Sequence, residues 1–247
     1  MSLAIALLGT ANASDTDAQT YTRVVTPVDN SLLVACAVGR NGSSYGGPSV
    51  SDSGGLTWTQ RVMLGINGNA TRISIHTAPV TTSPGSDTIT WDHGTTILGS
   101  SRAVLSVTGH NVSAPFVGSA VTTSATSTGP NAGTVASLTN ASNGQLLIVG
   151  HHRATADATA EAGWTELCDV AGATPAEGLA VYSKIASGDT TPTATLGSSV
   201  IWGTIYLEVA DGGLVLSASG SQLTAQDGTP TYAGAFNAFR GLVLKWP

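Results

Sequence analysis

Lysine is nearly missing from this chain: Lys184 and Lys245 are the only two among 247 residues. Nine basic residues stand against fifteen acidic ones, for a net charge of −6. That balance argues against nucleic acid as a partner, because phosphate binding needs a basic face. Long apolar runs are missing too. None approaches the roughly 20 residues of a membrane-spanning helix, so no membrane partner is expected. Cysteine is limited to Cys36 and Cys168, in unrelated local contexts. Cys36 sits inside "LLVACAV", the setting of a buried free thiol, and stability is expected from a core rather than from a disulfide. Charged residues amount to only 10%, yet apolar residues reach 41%, too many for a disordered chain.

What is abundant is Gly, Ser, Thr and Ala, the composition of short strands joined by tight turns. The opening "MSLAIALLGTANAS" has a short apolar run before Ala11-Asn12-Ala13 but no basic residue ahead of it. It is therefore expected to belong to the folded chain and not to a cleaved leader.

The chain contains matching stretches in the same order. "LLGTANAS" (7–14) resembles "FVGSAVTT" (116–123), and "NSLLVACAVGR" (30–40) resembles "NGQLLIVGHHR" (143–153). "GLTWTQRV" (55–62) resembles "EAGWTELC" (161–168), setting Trp58 over Trp164, and "AVLSVTG" (103–109) resembles "IYLEVAD" (205–211). The order predicts two β-sandwich repeats, 1–109 and 110–211, followed by a C-terminal tail or arm, 212–247. Segments such as "TRISIHT" (71–77), "DTITW" (87–91), "RAVLSV" (102–107) and "PTATL" (192–196) alternate or carry β-branched residues, as half-buried strands do. Asn41-Gly42, Asn67-Gly68 and Asn143-Gly144 suit tight turns. "ADATAEAGW" and "TPAEGLAVYSKIA" contain helix formers, but glycine interrupts both and their counterparts are strand-like. The expectation is an all-β fold of two jelly-roll-like halves, either separate or pooled into one larger sandwich, plus a strand-rich tail.

Several stretches imitate catalytic motifs. "SVSDSGGLTWTQRV" (49–62) approaches the S-x-D-x-G-x-T-W turn of sialidases, but in register it puts Ser53 where the aspartate belongs and Asp52 one residue early. Its counterpart, Ala158 to Glu161, has no aspartate in that register, so what repeats is a tryptophan after a glycine turn. Trp58 and Trp164 are therefore read as structural core. "GSSYG" (42–46) satisfies G-x-S-x-G, yet Gly46-Gly47-Pro48 cannot open the helix that a nucleophile elbow needs, leaving Ser44 a loop serine. His151 and His152 are adjacent on a strand and face opposite ways, which suits no shared metal. Asp92-His93 reads as a solvated turn after Trp91. Asp52, Asp87 and Asp92 lack calcium-loop spacing. Five N-x-S/T sequons carry no weight in so Ser/Thr-rich a chain. No catalytic residue, metal or cofactor is expected.

The tail differs from the repeats. Tyr232, Phe236, Phe239 and Trp246 crowd into fifteen residues with Arg240 among them. They are read either as an aromatic plug closing the sandwich or as an assembly contact laid on a neighbouring subunit.

Taken together, "NSLLVACAVGR…VSDSGGLTWT…RISIHTAPV…DTITWD…SRAVLSVTG" and then "NGQLLIVGHHR…AGWTEL…ATL…IWGTIYLEVA" resembles the two-repeat β-sandwich proteins of tailed bacteriophages, with related modules in bacterial surface and secreted proteins. The resemblance spans about residues 5–211. It implies a non-enzymatic module located in the virion and assembled in the host cytoplasm, present in many copies or as a homo-oligomer beside other capsid or tail subunits. A capsid decoration or cement protein is the first expectation, a tail or fibre component the next. A carbohydrate-binding module or lectin is the alternative of a different class; it needs an exposed aromatic platform, for which Trp91, Trp202, Tyr45 and Tyr182 are available. A glycoside hydrolase rests on fold analogy alone.

Overall fold

The computed structural model describes residues 2–152, 158–185 and 188–213, together with the backbone of three short strands farther on. No helix occurs among the described residues. The first half supplies β1 (Ala4–Leu7), β2 (Asn12–Ser14), β3 (Ala18–Val25), β4 (Ser31–Arg40), β5 (Ser49–Asp52), β6 (Thr59–Ile66), β7 (Thr71–Val80), β8 (Asp87–Ile97) and β9 (Gly99–Thr108). The second supplies β10 (Phe116–Ser127), β11 (Gly144–His151), β12 (Thr159–Ala160), β13 (Thr165–Ala173), β14 (Ala176–Ile185), β15 (Ala194–Thr195) and β16 (Val200–Val209). Three further short strands are described after these: β17 (Leu216–Ser219), β18 (Gln222–Ala225) and β19 (Pro230–Ala233).

The continuous apolar run of β4 explains the layering. Leu32, Val34, Cys36 and Val38 point into one cluster, whereas Leu33, Ala35 and Ala37 point into another with Val25, Ile89 and Trp91. Both faces of the strand are covered, so its sequence shows no polar alternation. β11 behaves alike: Leu146 and Ile148 face the first cluster, Leu147 and Val149 a third with Tyr182 and Trp202. That first cluster is common property. Val34, Ile73 and Leu105 of the first half meet Leu146, Leu179 and Ile205 of the second in it. The halves are pooled around one central core.

Four layers result. The order β1-β9-β4-β7-β6, with β2 also on β9, forms one main sheet, and β10-β16-β11-β14-β13 forms the other. The small sheet β3-β8-β5 covers the outer face of the first, and β12-β15 with Ala132 and Val135 covers the outer face of the second. The segment at 4–7, read from sequence as part of the folded chain, is strand β1, paired to β9 from Ala4↔Thr108 to Leu7↔Leu105.

The two main sheets follow the same strand order, and register refines the correspondence between them. A bulge falls between Gln60 and Val62 in β6 and between Glu166 and Cys168 in β13, just after Trp58 and Trp164. One sequence match needs correction. Setting "NSLLVACAVGR" over "NGQLLIVGHHR" puts Leu33 on Leu146, but Leu146 pairs with Leu207 as Val34 pairs with Leu105. Val34 and Leu146 are the equivalent pair, both facing the central core. A slip of one residue exchanges the faces of a strand, so the alignment by similarity had inside and outside reversed there.

Two glycines let the main sheets approach. Gly150 and Gly203 are cross-strand partners. A Cβ on Gly150 would lie 2.5 Å from Ile73 Cδ1, and one on Gly203 2.8 Å from Leu64 Cδ2 and Ile66 Cγ2. The missing side chains are filled by the facing sheet.

Candidate functional site: a buried polar cluster

The positions nominated by motif are dispersed. Ser44 is exposed in the loop between β4 and β5, and no helix follows it. Asp52 closes its own turn: Oδ1 accepts from Leu56 N at 3.1 Å and Oδ2 from Trp58 Nε1 at 2.6 Å. His151 packs on Gly178, while His152 hydrogen-bonds Thr71 on the other side of the strand. Among the described residues no three His, Cys, Asp or Glu side chains converge as a metal-binding group would. Cys36 and Cys168 are free and buried in the central core, where desolvation pushes the Cys168 thiol up to about 12.

The tryptophans change places with one another. Trp58 and Trp164 were read as core; both are half-buried and pack at the margins of the outer clusters. Trp58 is held by Asp52, and Trp164 by Glu161 at 3.3 Å and Asp189 at 3.2 Å. Trp91 and Trp202, proposed for an exposed platform, are 0% and 1% exposed, and Tyr45 and Tyr182 are buried with them. Of the tail residues, Tyr232 lies in β19, whose backbone alone is described; Phe236, Phe239, Arg240 and Trp246 lie outside the described residues.

The reading of Asp92-His93 as a solvated turn is overturned. His93 belongs to β8 and is 2% exposed. Strand β8 aims it beneath the small sheet, edge-on to Tyr21 at 5.6 Å between ring centroids and tilted against Tyr45 at 5.8 Å. Gly39 leaves room for both: a Cβ there would meet the Tyr45 hydroxyl at 2.5 Å and His93 Cε1 at 2.6 Å. "GSSYG" therefore serves to deliver Tyr45 inward, since Ser44 stays outside. Arg102, from the middle of β9 and equally buried, lays its guanidinium over Tyr21 at 4.4 Å. Tyr21 donates its hydroxyl to Thr16 O at 2.8 Å. The sequence signal for this cluster was Arg102 itself, a lone charge inside the strand "SSRAVLSV".

On the other face of β9, Ser101 Oγ lies 3.5 Å from Glu177 Oε1 across the main-sheet interface. Glu177 is wholly buried next to Gly172 and Asp15, and Asp15 accepts from Ala173 N at 3.0 Å. Arg40 NH1 donates to Ala176 O, so the β13–β14 turn is clasped to the first half. Burial, then the Asp15 charge, push the Glu177 carboxyl up to about 8. Burial lowers His76, His93 and His152 to about 4, and it lowers Arg102 to about 10. Chemically the cluster offers a neutral imidazole, a guanidinium on an aromatic face and a protonated acid, all closed from solvent.

These shifts set a pH optimum. Glu177 titrates higher in the fold than its ordinary 4.5, so its contribution is full below that value and is lost as pH rises towards about 8. The three histidines titrate lower than 6.5, so theirs is present above 6.5 and lost as pH falls towards about 4. Three opposing groups outweigh one on the acid side. Thermal melts across pH should show a maximum near neutrality, falling on both sides. Glu177→Gln should flatten the alkaline arm and raise Tm at pH 8 by a few degrees, about 1–2 kcal/mol at this chain length. An unchanged alkaline arm in that variant would contradict the assignment.

A second, partly exposed group flanks Trp164. Glu161 and Asp189 share a hydrogen bond; Glu161 is raised mainly by desolvation, while hydrogen bonds from Glu161 and Thr191 hold Asp189 down at about 2 despite its own burial. Thr193 Oγ1 donates to Glu161 at 2.9 Å, and Lys184 stands 3.4 Å from Asp189. The four carboxylate oxygens accept from Trp164, Lys184, Thr191 and Thr193, so the group ties the β12–β15 layer to β13 and β14. Comparison of the chain with protein-family models, with curated proteins and with solved structures finds no match.

Proposed function

We propose that this protein is a non-enzymatic structural module of a virion, a capsid decoration or cement protein of a tailed phage, with a tail or fibre component as the next placement. The observation that carries the reading is at the C-terminus. Strands β17, β18 and β19 pair with one another and, among the described residues, with no strand of the four-layer body. Three strands of four residues each are close to the smallest sheet that holds together, and such a sheet gains stability when a further surface covers it. A neighbouring subunit supplies that surface in an assembly, and the aromatic residues Phe236, Phe239 and Trp246 that follow are of the type that anchors interfaces.

The closed polar cluster agrees with a structural role, since His93 and Arg102 are each only 2% exposed. Carbohydrate recognition on an aromatic platform is less well supported, because all four residues suited to it are buried.

Replacing Phe236, Phe239 and Trp246 together by serine is the test. The variant should keep the β-sheet circular dichroism and cooperative melt of the parent while losing at least tenfold in attachment to particles, read by co-sedimentation with density-purified capsids. A variant that unfolds shows that these aromatics are core. One that attaches normally places the contact elsewhere.

A further inference from the structure

An edge strand presents unpaired backbone donors and acceptors, and protein edges normally carry a charge, a proline, a bulge or little length to prevent other strands from pairing there. The main-sheet edges of this protein obey that rule, except that one of them obeys it only at its beginning. β1 and β2 are four and three residues long. β6 carries Arg61, and β13 carries Glu166 and Asp169. In the small sheet, β3 carries Arg23 and β5 carries Asp52. β10, "FVGSAVTTSATS", is twelve residues long and has no charged residue and no proline. Its one irregularity lies between Val117 and Val121, at its beginning. From Val121 to Ser127 it runs unbroken against β16, and Thr122, Ser124, Ala125 and Thr126 are exposed. Among the described residues its only strand partner is β16.

We infer that the free edge of β10 is a contact between two copies of this chain, formed by antiparallel pairing of 121–127 with its own copy about a two-fold axis near Ser124. Three observations favour a second copy as the occupant. The chain carries a net charge of −6, so like copies repel, and an uncharged edge is where they meet at least cost. Antiparallel pairing of one segment with itself is closed by a two-fold axis, so it makes a finite dimer and no filament. Val121 and Thr123 with Thr122, Thr126 and Ser127 also provide the β-branched and hydroxyl side chains whose cross-strand pairs stabilise a ladder. The two copies of the second main sheet then become one continuous sheet. No strand pairing joins this edge to β17, β18 or β19 among the described residues, so separate variants test the two contacts.

The full chain and a Thr122→Lys/Thr126→Lys variant should be compared by sedimentation velocity over a concentration series reaching high micromolar. The parent should dimerise reversibly, and the lysine pair should weaken that dimer at least tenfold with circular dichroism and Tm unchanged, because both positions are exposed. Ser124→Cys provides a measurement that does not rely on disruption. Directly opposed residues in an antiparallel pair stand about 4.5–5.5 Å apart at Cα, within disulfide reach, and Cys36 and Cys168 are buried and do not compete. Mild oxidation should give a covalent dimer at concentrations where the lysine variant carrying the same cysteine gives none. A parent that remains monomeric throughout, or a lysine variant that dimerises as the parent does, overturns the inference. If the dimer survives the lysines but is lost in the Phe236/Phe239/Trp246 serine variant, the contact belongs to the tail, and the assembly proposal stands while this one falls.

Discussion

Trp91→Ala and Trp202→Ala are each expected to cost about 3–5 kcal/mol of unfolding stability, the range for emptying an aromatic site in a packed core. Both indoles are at most 1% exposed, Trp91 among Val25, Ile89 and Val104, and Trp202 among Leu147, Val149 and Tyr182. Trp58→Ala and Trp164→Ala should cost roughly half as much, because those rings are half-buried and part of their area stays in water. The phenylalanine variants separate two further contributions. Trp202 Nε1 donates to Ser127 Oγ at 3.0 Å, whereas Trp91 Nε1 is buried and has no hydrogen-bond partner among the described residues. Trp202→Phe should therefore be the more damaging of the pair, by about 1 kcal/mol, since it forfeits a bond whereas Trp91→Phe removes only an unpaired buried donor. Chemical denaturation of the six variants provides the check. Equal losses at all four tryptophans would mean that the outer layers are not packed as described.

Gly203→Val should be of similar severity for the opposite reason. Its added carbons enter space already held by Leu64, Ile66 and Ile73 of the facing sheet. Forcing extra carbons into a filled core costs about 1–3 kcal/mol, and more where, as here, neither sheet can yield without disturbing its own outer layer. Gly150→Val should behave alike through Val38 and Ile73. Substituting Gly42, whose Cβ would meet nothing within 4 Å, should change the melt by less than about 0.5 kcal/mol and serves as the control. If Gly203→Val melted with the parent, the two halves would not share a core. A compensating Ile73→Ala in the Gly150→Val background should recover part of the loss, and that double-mutant cycle reads the contact directly.

Much of the main-body architecture was legible in the sequence. Turn dipeptides and β-branched runs located strand segments at 71–77, 87–91 and 102–107, which lie within the longer β7, β8 and β9, and the all-β class followed from them. The segment "TPAEGLAVYSKIA" has helix-forming residues, yet Ala176–Ile185 is strand β14, because pairing with β11 and β13 on both edges outweighs a weak local preference.

Other features depended on tertiary structure for a physical reason. A strand covered on both faces loses its alternation, so "LLVACAV" and "QLLIVG" announce burial without saying which side faces which layer. That is why similarity aligned Leu33 with Leu146 when the register joins Val34 to it. Choosing the buried indoles suffered from the same gap. Trp58 and Trp164 each stand immediately before an edge strand, whereas Trp91 and Trp202 are buried by layers that come from distant segments. His93, Tyr21, Tyr45 and Arg102 come from four places in the chain, and only the stacking of β3 and β8 on β9 brings them together. Local composition determined that this chain would form strands and where they would turn. The stacking of four layers, which no local pattern encodes when both faces are apolar, decided which side chains meet.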